Sequence, residues 1–189
     1  MSMLFCNIAS MKNYQGVNDN DIPVGGGRFV NKNGFGYECN NYLEREDGNC
    51  YGFVETGYNP RSWREKDGRN LNIDRIVPGK GKYKFVDEVR VVFVSGNKLV
   101  GWYDNARVYP ERQYLKGDKS NPYYFRAAAD NCHIIPEDER VLMSFRANKN
   151  GIGFGQSNVW YADCDTPDVH SLKKMVNDYI DQRLACVAA

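Results

Sequence analysis

Long apolar runs are missing from this sequence. Nowhere in its 189 residues does one approach the roughly 18–20 apolar positions of a membrane span, and mean hydropathy is −0.63. The opening MSMLFCNIASMKNY has neither a basic start nor a long apolar stretch, which predicts no secretory leader. Histidine is scarce, with only His133 and His170, and no C-x-x-C pair occurs among the six cysteines at 6, 39, 50, 132, 164 and 186. A disulfide framework stays open, but length and the missing leader favour reduced thiols, a cytoplasmic protein and no membrane partner.

Signatures of catalysis are missing too. Cys132 adjoins His133, and Cys164 precedes His170 by six residues, but a structural zinc site needs four ligands in short paired spacings. Ser157 lies in Gly-Gln-Ser-Asn-Val rather than a nucleophile elbow. The glycine clusters lack the Gly-Lys-Ser/Thr of a phosphate loop and the strand–turn–helix setting of a dinucleotide fingerprint. No catalytic residue, metal or cofactor is therefore expected. An enzyme would have to draw on Glu38, Glu55, Asp104 or His133, and their spacing recommends none of them.

What is present is an uneven charge. The whole chain carries +1, but residues 61–119 hold 14 Lys/Arg against 8 Asp/Glu, while the flanking thirds are net acidic. A basic middle third can track phosphates even when the whole is neutral, or it can be a solvated surface. The candidate phosphate-binding residues are Lys12, Arg28, Arg61, Arg64, Lys80, Lys82, Lys84 and Lys149.

The length fits one domain. MLFCNIA (3–9) reads as a buried strand, 18–49 as a glycine- and asparagine-rich loop, and 50–56 as a second strand. Two β-branched runs, 89–95 and 98–109, flank a turn at Gly96-Asn97 and predict a hairpin. Further strands are expected at 123–129, 132–135 and 140–147. Thr166 and Pro167 open a helix over 167–184, whose Val169, Leu172, Val176, Ile180 and Leu184 share one face. That pattern predicts an α+β fold, with a curved antiparallel sheet or small barrel over 1–165 and a closing or connecting helix over 166–189.

All three tryptophans sit beside polar or basic residues: Trp63 in RSWREK, Trp102 in GWYDNA and Trp160 in SNVWYAD. Each is either a core ring with its N–H satisfied or a wall on which a base stacks. Asn7, Gln156 and Asn158 are carboxamides near such rings, able to read a base edge through a paired donor and acceptor.

Three stretches together, LFCNIASMKNYQG with the following GGG, KLVGWYDNARVY, and GFGQSNVWY, resemble the N-terminal region of modification-dependent restriction endonucleases. In that family a base-sensing module similar to the PUA-like superfold, which includes EVE and YTH domains, precedes a nuclease such as an HNH domain. The resemblance spans roughly residues 3–163. It implies a PUA-like fold with flanking helices that binds double-stranded DNA carrying a modified base. The base would flip into an aromatic pocket lined by Asn7, Ala9 and Ser10, with Trp63, Trp102 and Trp160 as ring candidates and Gln156 and Asn158 beside them. It also implies a restriction role in bacterial phage defence, with a fused or separate nuclease as partner. The glycine-rich insertion at 18–49 departs from the EVE and YTH pattern, and no HNH motif follows residue 165. The alternatives are a PUA-like RNA-binding protein or a small nucleotide-processing enzyme.

Overall fold

The computed structural model describes residues 2–57 and 69–187. Seven strands form one open sheet: β1 (Ser2–Asn7), β2 (Asn49–Gly52), β3 (Val86–Ser95), β4 (Lys98–Leu115), β5 (Asp118–Ala128), β6 (Cys132–Ile134) and β7 (Val159–Trp160). The order across the sheet is β2-β5-β4-β3-β1-β7, with β6 also paired to β4. Three helices accompany it: α1 (Gly27–Asn33), the single turn α2 (Ile73–Ile76), and α3 (Pro167–Val187).

The expected hairpin forms at Gly96 and Asn97, which both take positive φ (55° and 65°), as a tight two-residue hairpin turn requires. Bulges interrupt the β3·β4 and β4·β5 ladders, and each adds a local bend. The sheet is mixed rather than purely antiparallel, because β1 runs parallel to β3, from Ser2↔Val89 to Asn7↔Val94. It is also not a closed barrel.

Three expectations change in detail. The 18–49 segment is not all loop, since α1 starts at Gly27 and ends against Gly34, whose φ of 70° caps it. The glycines there are helix punctuation rather than helix exclusion. Residues 140–147 alternate as a strand would and bury Met143 and Phe145, but they join the ladder of the sheet only at the isolated bridge Lys98↔Leu142. The second strand stops at Gly52, while α3 continues to Val187.

Side-chain alternation splits the interior in two. Leu4, Cys6, Val91, Phe93 and Tyr103 face a core shared with Tyr14, Tyr42, Phe53 and Phe125. Met3, Phe5, Val92, Val94, Trp102 and Trp160 face the other way and pack on Val169, Leu172, Val176 and Ile180 of α3. Thr166 caps that helix by accepting from Val169 N at 3.4 Å, and its hydroxyl donates to Asn150 O. Gly101 is required where β4 meets β6, because a Cβ there would lie 2.3 Å from His133 O and 2.4 Å from the Tyr42 hydroxyl.

A buried ionic network locks α3 to the sheet. Arg90 Nε donates to Asp104 Oδ1 at 2.6 Å and Arg90 NH1 to Asn177 Oδ1 at 2.7 Å, while Trp102 Nε1 donates to Asp104 Oδ2 at 3.0 Å. Replacing Asp104 with Ala strips both donors of their acceptor. We expect Asp104→Ala to lower the unfolding free energy in urea by about 3–5 kcal/mol. Arg107→Ala, which breaks a half-exposed pair with Asp87, should cost under about 1 kcal/mol. Equal losses would contradict the buried-network account.

Candidate nucleic-acid interface

The two described tryptophans are packing rings. Trp102 is 2% exposed, stacked on His133 at 5.0 Å, with its N–H spent on Asp104. Trp160 is 6% exposed, 4.7 Å from Phe5, with its N–H donated to Gly151 O at 3.0 Å. A stacking wall must present a face, and neither ring does. Trp63, Arg61, Arg64 and the side chain of Arg28 lie outside the described residues.

The neighbouring residue takes the place expected of Trp160. β7 alternates, so Val159 and Tyr161 point away from α3 into a cleft of about 630 Å³. This volume lies within the roughly 300–1,000 Å³ of small-ligand sites. Three segments build the walls. Thr56 and Gly57 follow β2, Arg69 to Leu71 and Arg75 lie on and before α2, and Gln156 and Ser157 precede β7.

Tyr161 is held from two sides. Its hydroxyl accepts from Asn72 N at 2.8 Å, and the Arg75 guanidinium lies 4.4 Å over its ring. Arg75 is itself clamped by Asp163, with Nε and NH2 donating at 2.6 and 2.7 Å. That bidentate contact holds the Asp163 carboxyl below the usual carboxylate range, and burial pushes the Tyr161 phenol up. On the opposite wall Thr56 Oγ1 lies 3.2 Å from the Tyr124 hydroxyl, which donates to Arg69 O and accepts from Arg112 Nε.

The carboxamides divide into two kinds. Asn7 Nδ2 donates to Asn158 Oδ1, and Asn158 Nδ2 donates to Glu55 O at 3.1 Å. Those two amides tie the end of β1 to the rim of the cleft rather than reading anything. Gln156 and Asn70 are exposed, line the cleft and, among the described residues, make no hydrogen bond through their side chains.

Ala9 is buried, and its carbonyl accepts from the Tyr14 hydroxyl at 2.7 Å. Ser10 pairs through its backbone with Val24. Glu38 is buried, and burial raises its carboxyl above the ordinary range. Neither Ala9 nor Ser10 lines the cleft.

The described candidates for phosphate contact lie on different segments of the chain. Lys80, Lys82 and Lys84 follow α2, with Lys80 Nζ 4.1 Å over the Tyr83 ring and Lys84 at a separate groove. Lys12 is exposed beside Asp21, and Lys149 sits on an exposed turn before β7. Among the described residues no group of three or more His, Cys, Asp or Glu could hold a metal ion, and no helix is long and apolar enough to cross a membrane.

Sequence reasoning missed Tyr161, Asn70, Arg69 and Arg75. The period-two pattern of VWYAD did carry the signal for Tyr161, since adjacent strand residues face opposite ways. Comparison of the chain with family models, curated proteins and solved structures finds no match.

Trp160→Ala should therefore behave as a core truncation, lowering stability by about 3–5 kcal/mol. Tyr161→Phe should lose only the hydrogen bond from Asn72 N, about 0.5–1.5 kcal/mol. Chemical denaturation of both variants checks this, and a Trp160→Ala protein as stable as its parent would place that ring outside the core.

Proposed function

We propose that this chain binds double-stranded DNA carrying a modified base and receives the flipped base in the Tyr161 cleft. One observation carries the reading: two unengaged carboxamides, Gln156 and Asn70, share a cleft with an aromatic ring and the guanidiniums of Arg69 and Arg75. A carboxamide offers a donor and an acceptor to a base edge, and the Tyr161 ring with the Arg75 guanidinium over it offers a planar, polarised wall beside that edge. Flipping costs a few kcal/mol, which stacking and edge hydrogen bonds can offset.

The finer fold description, PUA-like, and the biological setting belong to the same proposal. Both rest on the three stretches LFCNIASMKNYQG, KLVGWYDNARVY and GFGQSNVWY. In that setting the chain is the specificity module of a modification-dependent restriction system, and a nuclease domain supplies the cut.

The test is a binding titration with labelled duplexes containing 5-methylcytosine, N6-methyladenine, 5-hydroxymethylcytosine or no modification. The parent protein should prefer one modified duplex. Gln156→Ala should remove about 1–3 kcal/mol of that discrimination and leave weak, salt-sensitive binding to plain duplex, because phosphate contacts position without specifying. Equal affinity for all four duplexes, or a preference unchanged in Gln156→Ala, would contradict the proposal.

A further inference from the structure

Four rings run across the strands of the sheet. Phe85, just before β3, lies 5.9 Å from Tyr109 on β4, Tyr109 lies 5.8 Å from Tyr123 on β5, and Tyr123 lies 4.7 Å from Tyr51 on β2. All four are half-buried, and none belongs to either buried cluster. The residues adjacent to them, Val86, Val108, Tyr124 and Cys50, fill the first core, so the ladder occupies the opposite face of the sheet. Edge-to-face packing between successive rings, at 62°, 81° and 66°, fixes their orientations.

Cations border this ladder. Arg107 lies 3.8 Å over Phe85 and is paired with Asp87, and Arg126 stands directly opposite both Arg107 and Tyr51 in the strand registers. Lys84 lines a groove of about 480 Å³ with Tyr83, Phe85 and Tyr109, and Tyr83 is 54% exposed with Lys80 above its ring. Aromatic rings interleaved with Lys and Arg on an exposed sheet face suit bases that stack and phosphates that need neutralising. A peptide partner would be served by unpaired strand edges or an apolar groove. Among the described residues only the outer side of β2 is an open strand edge beneath the rings. The cations Lys80, Lys84, Arg107 and Arg126 outnumber the carboxylates there, Asp47 on the Tyr51 hydroxyl, Asp87 on Arg107 and Glu111 in the groove.

We propose that the Phe85–Tyr109–Tyr123–Tyr51 ladder, with Lys84 and Arg126, is a second nucleic-acid surface that binds a single strand without regard to base modification. It is independent of the Tyr161 cleft. Lys80, Lys82 and Lys84 then serve phosphates beside the ladder rather than around a flipped base.

The test is fluorescence anisotropy with unmodified dT12 and rU12 at several salt concentrations. The parent should bind at least one of the two, and the pair of arms separates DNA from RNA as the strand. Tyr109→Leu with Tyr123→Leu keeps apolar volume while removing the stacking rings, and should weaken binding about tenfold or more. Tyr83→Ala, at an exposed ring, should weaken binding without altering the melting temperature. Lys84→Ala with Arg126→Ala should flatten the slope of log affinity against log salt by about 0.7 per lost contact. Gln156→Ala should bind both oligonucleotides as the parent does, even if the modified-duplex experiment fails. Absence of parent binding to both oligonucleotides overturns the proposal. So does unchanged affinity in the folded ring variants, or a loss confined to Gln156→Ala.

Discussion

Side-chain alternation across the central strands is the constraint on which this structure depends. β1 over residues 3–6 and β3 over residues 91–94 are buried on both faces, so each successive residue there is committed to one of two cores. A shift of one residue would exchange the two sets entirely. The parallel pairing of β1 with β3 and the antiparallel pairing with β7 place Phe5 opposite Trp160, which fixes the face of every residue in the short last strand. From that register follow the burial of Trp160 under α3 and the presentation of Tyr161 to the cleft. On β4 the same rule buries Trp102 on the helix side and turns Tyr103 to the other core. A bulge between Tyr103 and Ala106, with Asn105 at φ 51°, then resets the phase, so that Ala106 and Val108 face that core and Arg107 and Tyr109 the ladder face.

Polar side chains then hold the cleft in shape. Asn158 bridges β1 and the segment after β2, Asn72 N and Arg75 restrain Tyr161, and Asp163 restrains Arg75. Each of these groups is spent on a neighbour. Gln156 and Asn70 are not, and they sit where restraint stops and open volume begins. A rigid rim around adaptable amides is a suitable arrangement for selecting one planar, polar ligand over another.

Much of the fold was legible in the sequence. The Gly96-Asn97 turn, the β-branched runs around it and the Thr166-Pro167 helix start depend on local chemistry and emerged at the expected places. The parallel β1·β3 pairing was not legible, because no local signal marks a partner some eighty residues away. α1 was missed because consecutive glycines read as loop, although Gly27 and Gly34 bound a helix of only seven residues. For the candidate site, Gln156 was named from its residue type and setting and lines the cleft, whereas Trp160 was chosen for ring size and is buried beside Tyr161, which lines it. Arg69, Asn70 and Arg75 approach Gln156 only through tertiary folding, so their sequence distance concealed them. Lys80, Lys82 and Lys84 were identified as cations, but the ladder beside them is assembled from β2, β4 and β5 and has no contiguous signature.

The central claim is that the two faces do different work, the cleft selecting a base and the ladder holding a strand. Backbone amide chemical shifts recorded during titration, first with the preferred modified duplex and then with dT12, test it most directly. The account predicts shifts at 56–57, 69–75 and 156–161 that require the modified base, and at 107–109 and 123–126 with the single strand. Shifts that ignore the modification and gather along the exposed side of α3, or no shifts with either ligand, would contradict it.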